Sequence, residues 1–325
     1  MQDFVVARYA AFGITVVLGG CFGAGGSQPS TTSGAPIGVR FIRTNCCANA
    51  KTLFVTDPFG GSNGKGTVYA FDYKAGKQLG QLAAPPEGWF YVQGACADDK
   101  GNAYFANILA STIDEYTHDG AYVETLADTG QNPLSCAYDR TTGDLAVANE
   151  GTGSGLGGVS IFKGGVFQNT YYPPNIATVY FLGYQGATGV LWLDGYSASG
   201  VFQYDKFVNG TFTPVPIQGA SIDRAGDVQW SAKTHAMNVT SLDQSSTPTI
   251  YQVSPTGHVV GKTVLSAPSG LGEVAAFVIK GPSIVISNDV LNVVSLYAYP
   301  SGGQPILQYA SFTTPTGLTI SPDVP

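Results

Sequence analysis

Short apolar runs that stop on a small polar residue alternate along this chain with turns that carry glycine. Residues 101–120, GNAYFANILASTIDEYTHDG, show the unit most clearly. An apolar run over 102–106 is stopped by Asn107, a second run covers 112–116, and Asp119-Gly120 supplies a pair suited to positive φ in a tight hairpin. Turns of this kind recur at Gly76, Gly120, Gly165, Gly210, Gly257 and Gly302, with gaps of 44, 45, 45, 47 and 45 residues. A six-fold repeat of that length fits a four-stranded propeller blade.

The runs themselves superimpose. Residues 52–56, 102–106, 144–148, 190–193, 236–240 and 283–287 read as second strands, ending at Asp57, Asn107, Asn149, Asp194, Ser241 and Asn288. Third strands with aromatic or aliphatic stripes follow at 68–71, 113–116, 159–162, 201–204, 250–253 and 296–299. Inner strands precede the second strands as small apolar segments, as at 94–98 (GACAD) and 134–138 (LSCAY), because strands crowded around an axis have little room. The expected fold is all-β: a six-bladed β-propeller of four-stranded antiparallel blades over residues 38–325. The segment 315–323 (PTGLTISPD) has inner-strand character but no second strand after it, so it is expected to pair with 52–56 and close the ring in blade 1. Residues 45–48 (NCCA) compete for the same place, with 38–43 as an added strand or strap. Closure removes exposed sheet edges.

Composition supports a large core of turns and strands. The 325 residues are 44% hydrophobic, 12% aromatic and only 11% charged, with 43 Gly and 19 Pro, and no long window sustains a helical apolar period. A net charge of −7 opposes a nucleic-acid partner, which would need clustered Lys and Arg. Five cysteines and three histidines, with no C-x-x-C, do not make a zinc ribbon or finger.

Ahead of the propeller, Arg8, an apolar run over 9–18 and Leu18-Gly19-Gly20-Cys21 resemble the lipobox of bacterial lipoproteins. The resemblance implies that residues 1–20 are a removed signal peptide, that Cys21 is lipidated, and that 21–37 tether the body to the cell envelope, with no other contact with the membrane. An ordinary cleaved signal and an N-terminal strand are the other readings of this segment. The repeat resembles the NHL and SMP-30-like propellers, families that include lactonases and lyases as well as binding modules, so the resemblance alone does not select a function.

Propeller ligands commonly sit over the axis, on the face that carries the loops leading into the inner strands and those leaving the second strands. The inbound ring is read as Gln93, Asn132, Tyr180, Asp227, Glu273 and Thr316; the outbound ring is the set of strand-end residues above. Asn132, Asp227 and Glu273 are of the type that SMP-30-like lactonases use to hold a divalent cation such as calcium. Asp and Asn at strand ends also serve simply as acceptors for backbone N–H groups in turns.

Aromatic residues crowd the inbound loops: Trp89, Phe90 and Tyr91 before blade 2, after Pro85-Pro86-Glu87-Gly88, and Tyr171, Tyr172, Tyr180 and Phe181 before blade 4. As an exposed shelf they suit a sugar ring or a peptide; the alternative is packing between blades. The binding set read from the sequence is Trp89, Phe90, Tyr91, Gln93, Tyr172 and Tyr180. No nucleophile aligns with His118, His235 or His258, and G-x-S-x-G is absent. With Cys21 lipidated, Cys46, Cys47, Cys96 and Cys136 allow three pairings, among which the sequence does not choose; neighbouring inner strands beyond the reach of a disulfide would leave Cys96 and Cys136 as small buried thiols. The function expected is an envelope-anchored, monomeric binding module for a protein, peptide, glycan or small molecule on the axial face. The alternative is a metal-dependent lactonase or hydrolase.

Overall fold

The apolar runs ending at Asp57, Asn107, Asn149 and Asn288 are strands, Thr52–Asp57, Ala103–Asn107, Asp144–Asn149 and Ser283–Asn288, buried on both faces along nearly their whole length. Two-sided burial explains why they read as continuous apolar runs rather than alternating ones. In Ala103–Asn107, Phe105 packs toward Phe54, Val68 and Tyr116, while Tyr104 and Ala106 pack toward Cys136, Leu145 and Phe162. Neighbouring blades therefore sandwich each second strand. Outer strands differ: Gly302–Tyr309 mostly alternates between partly buried and exposed positions, as a strand with one covered face should.

The computed structural model describes residues 51–151, 155–242, 247–266, 274–309 and 312–321. Among them lie six four-stranded antiparallel sheets. Each runs inner, second, third, outer, and one apolar cluster fills each junction between neighbouring blades. The inner strands are Leu318–Ser321, Val92–Ala97, Pro133–Tyr138, Thr178–Tyr184, Val228–Ser231 and Ala276–Lys280 for blades 1 to 6. No helix among the described residues is long and apolar enough to cross a membrane.

Leu318–Ser321 closes the ring against the first strand, with Val55 opposite Leu318 and Thr52 opposite Ser321. The C-terminal segment thus takes the inner place in blade 1, as its pattern indicated; residues 38–48, including Cys46 and Cys47, lie outside the described residues, as do residues 1–37 with Cys21.

Near the axis the strands approach so closely that side chains are excluded. A Cβ on Gly94 would overlap the carbonyl oxygen of Leu134 in the next blade, and one on Gly183 the carbonyl oxygen of Val228. This crowding selects the pairing that the sequence leaves open. Cys96 and Cys136 have Cα atoms 5.5 Å apart and form a disulfide between the inner strands of blades 2 and 3, well within the reach of the bond.

Candidate functional site

Strand direction puts the loops entering the inner strands and those leaving the second strands on one face, where the two rings of polar residues were expected. His118, His235 and His258 follow the other set of turns, at the opposite end. The inner-strand register identifies the outbound ring: Val92 lies opposite Asn107, Pro133 opposite Asn149 and Val179 opposite Gly195. Gly195, not Asp194, is the blade 4 member. Asp194 sits one residue earlier and so points to the other side of its strand, fully buried, accepting the Phe181 N–H at 3.2 Å. Burial holds its carboxyl well above the ordinary range, and the nearby Asp227 adds to this.

Two of the ring members, Asp57 and Asn107, grip inbound loops. Asp57 accepts the N–H groups of Thr313 and Thr314 at 2.6 and 3.1 Å. Asn107 accepts the Phe90 N–H at 2.7 Å and donates to the Gly88 carbonyl at 3.0 Å. Asn288 accepts the Leu291 N–H at 2.8 Å within its own turn. These acids and amides satisfy backbone groups that would otherwise be orphaned under the loops.

The loop over residues 83–91 carries the first aromatic cluster and divides it. Trp89 is buried, stacked on Tyr116 at 5.7 Å and edge-on to Phe105 at 6.2 Å. It belongs to the core between blades 1 and 2 and not to an exposed shelf, because the loop folds the indole inward where the large ring fills the junction. Phe90 and Tyr91 remain half-buried at the rim. Tyr91 holds φ at 67°, a left-handed conformation uncommon for a non-glycine residue. Its N–H bonds the Lys65 carbonyl at 2.9 Å, and its ring meets Phe59 edge-on at 5.1 Å. The Lys65 ammonium lies 5.1 Å from the centre of the Phe90 ring, and the Leu109 N–H, beside a side chain 72% exposed, bonds the Phe90 carbonyl at 3.1 Å. Phe59, Lys65, Phe90 and Tyr91 thus gather at one rim, at the junction of blades 1 and 2. The sequence reading missed Phe59 and Lys65, although the loop from Pro58 to Gly66 is conspicuously longer and richer in glycine than its counterpart after Asn107.

Gln93 lies in a bulge of the blade 2 inner strand, its carbonyl accepting the hydroxyls of Thr56 and Thr316. Its side-chain oxygen is buried with no hydrogen-bond partner among the described residues. Tyr172 and Tyr180 belong to blades 3 and 4, away from the Phe90 rim. Tyr172 is half exposed, with Gln131 Nε2 3.4 Å from its hydroxyl. Tyr180 packs edge-on to Tyr196 at 5.4 Å, and its carbonyl accepts the Ser135 hydroxyl.

Two members of the carboxylate and amide set, Asn132 and Asp227, are engaged with backbone groups. Asn132 donates to the Gly151 carbonyl at 3.3 Å. Both Asp227 oxygens accept backbone N–H groups, from Val228 at 2.8 Å and Phe277 at 3.2 Å, and burial raises its carboxyl to about 7. Glu273 lies outside the described residues. Among those described, no three His, Cys, Asp or Glu side chains form a group able to hold a metal ion. Glu150, next to Asn149 and also raised by burial, is a further carboxyl on this face that the ring count passed over.

Comparison with protein-family profiles and with curated protein sequences returns no match. Comparison with solved structures does. A chain of the crystal structure of the nidogen/laminin complex matches with a TM-score of 0.66 at 12% identity, over 83% of this chain and 98% of that one. The likeness is one of fold alone. It agrees with the six-bladed all-β ring, and a propeller of this build is compatible with a binding module.

Proposed function

We propose that this propeller is a non-enzymatic binding module, exported and anchored to the cell envelope through an acylated Cys21, whose recognition surface is the rim formed by Phe59, Lys65, Phe90 and Tyr91. The observation that carries the reading is Tyr91. A tyrosine kept at φ 67° is a local strain of about 1–3 kcal/mol that persists only where the surroundings impose it, and such strain clusters at binding sites. Here the imposed conformation sets a ring beside Phe59 and Phe90 on the face where propellers take ligands. Flat aromatic rings with one ammonium suit an extended peptide or a protein loop. The similar chain in the nidogen/laminin complex was solved in an assembly of two proteins, and that supports a protein or peptide partner over a small molecule. The Cys96–Cys136 disulfide supports export, since such bonds persist in oxidising compartments.

Peptide and glycan arrays probed with residues 38–325 test the reading. Ligands should be retained by Tyr172→Ala and lost by the double variant Phe90→Ala, Tyr91→Ala. Hits that survive the double variant place recognition elsewhere.

One observation favours a second reading, a metal-dependent hydrolase or lactonase using Asn132, Asp227 and Glu273. Asp227, at the mouth of the inner ring, has a carboxyl raised to about 7, the range suited to proton transfer near neutral pH.

A further inference from the structure

The loop over 83–91 is fastened to blade 2 at three places. The Tyr116 hydroxyl donates to the Ala83 carbonyl at 2.7 Å. Asn107 holds Gly88 and Phe90, as described above. The third fastening is a cluster of oxygens under Glu87. Thr125, on the outer strand Tyr122–Ala127, sets its hydroxyl 2.6 Å from Asp114 Oδ1 and 3.0 Å from Glu87 Oε1, with the Tyr122 hydroxyl 2.9 Å away.

The protein supplies few hydrogens to this cluster. A threonine hydroxyl carries one hydrogen, and an ionised carboxylate carries none. The Tyr122 hydrogen can serve the Thr125 oxygen. Asn107 Nδ2 has two hydrogens, which go to the Gly88 carbonyl at 3.0 Å and to Asp114 Oδ2 at 3.1 Å. One hydrogen, that of Thr125, then faces two carboxyl oxygens. With both groups ionised, the exposed Glu87 oxygen competes with buried Asp114 for that hydrogen and sets a second negative charge beside it; a proton on Asp114 restores the balance.

We propose that a single proton held between Asp114 and Glu87 latches the aromatic loop onto blade 2, so that pH governs how Phe90 and Tyr91 are presented. Its functional consequence rests on the aromatic rim being the recognition surface; the latch itself does not. Asp114 is fully buried; the titratable groups around it are Glu87 from the loop and Tyr116 on its own strand, with Tyr122 on the outer strand reaching it through the Thr125 hydroxyl. Blade 1 meets the same junction with Val68, Ala70 and Leu82. Burial raises Asp114 to about 7, opposed by the Thr125 hydrogen bond and reinforced by Glu87. A carboxyl raised in the latched state binds its proton more tightly there than when released. The latch is therefore fully closed at the acidic end, below about pH 4, and weakens as pH rises toward 7.

Hydrogen exchange at the backbone amides of Gly88, Phe90 and Tyr91 tests this without any ligand. After correction for intrinsic rates, wild-type protection should fall by up to about tenfold per pH unit between pH 5 and 7, the limit for one linked proton. Asp114→Asn removes the titrating group and should abolish that slope, while Glu87→Gln removes the second charge, supplies an amide hydrogen and should reduce it. Glu87 is exposed, so its variant keeps the test open even if Asp114→Asn folds poorly. Protection independent of pH in the wild type, or a slope unchanged in Glu87→Gln, overturns the latch. Failure of the aromatic variants to lose ligand would instead overturn the recognition surface while leaving the latch intact.

Discussion

Cys96 and Cys136 occupy corresponding places on the inner strands of blades 2 and 3, and their disulfide ties the two blades beside the axis. The bond spans a sequence separation of 40 residues, so in the chain-entropy account its removal should cost about 2–4 kcal/mol. Urea unfolding of the oxidised protein, against the double variant Cys96→Ser, Cys136→Ser, measures this directly. Equal midpoints would mean that the bridge adds nothing to the folded ring.

The sequence concealed that bond for a physical reason. An apolar run does not state the distance to the next blade, and it is the missing Cβ of Gly94 that lets one inner strand lie against the backbone of the next. Strand ends at Asp57, Asn107 and Asn288 were legible because a buried apolar run stops where a polar side chain turns to hold loop backbone; Asn149 ends its run too, with its amide donating to Ser160 on the next strand. Blade 4 misled for the same reason: Asp194 looks like a stop but is interior, its burial offset by a backbone N–H from Phe181. The aromatic loop was legible as a cluster but not as two environments. Its sequence does not show that Tyr116 offers Trp89 a stacking partner while Lys65 and Phe59 keep Tyr91 at the rim.

Closure should be all or none. Deleting residues 315–325 removes the strand opposite Thr52–Val55 and leaves the inner edge of that strand unpaired. The truncated protein should lose its cooperative thermal transition and aggregate. A truncated chain that melts at the wild-type midpoint would show that the last strand is not the clasp.

Acylation of Cys21 is the prediction that fixes the cellular address. In envelope-associated protein, mass spectrometry of the N-terminal peptide should find a lipid-modified cysteine as the first residue, with residues 1–20 gone. An unmodified Cys21 in that fraction would end the lipoprotein reading.

The central claim is that recognition runs through the aromatic rim and not through a metal over the axis. Calorimetry of a peptide or glycan ligand selected on arrays tests it most directly, with wild type, Phe90→Ala/Tyr91→Ala and Glu273→Gln compared in the presence and absence of calcium. Each lost ring contact is worth about 0.5–1.5 kcal/mol beyond the area it buries, so the aromatic variant should bind roughly tenfold or more weakly. Glu273→Gln should match the wild type with or without calcium. A stoichiometric calcium site lost in Glu273→Gln, with ligand affinity lost alongside it and untouched by the aromatic substitutions, would contradict the account.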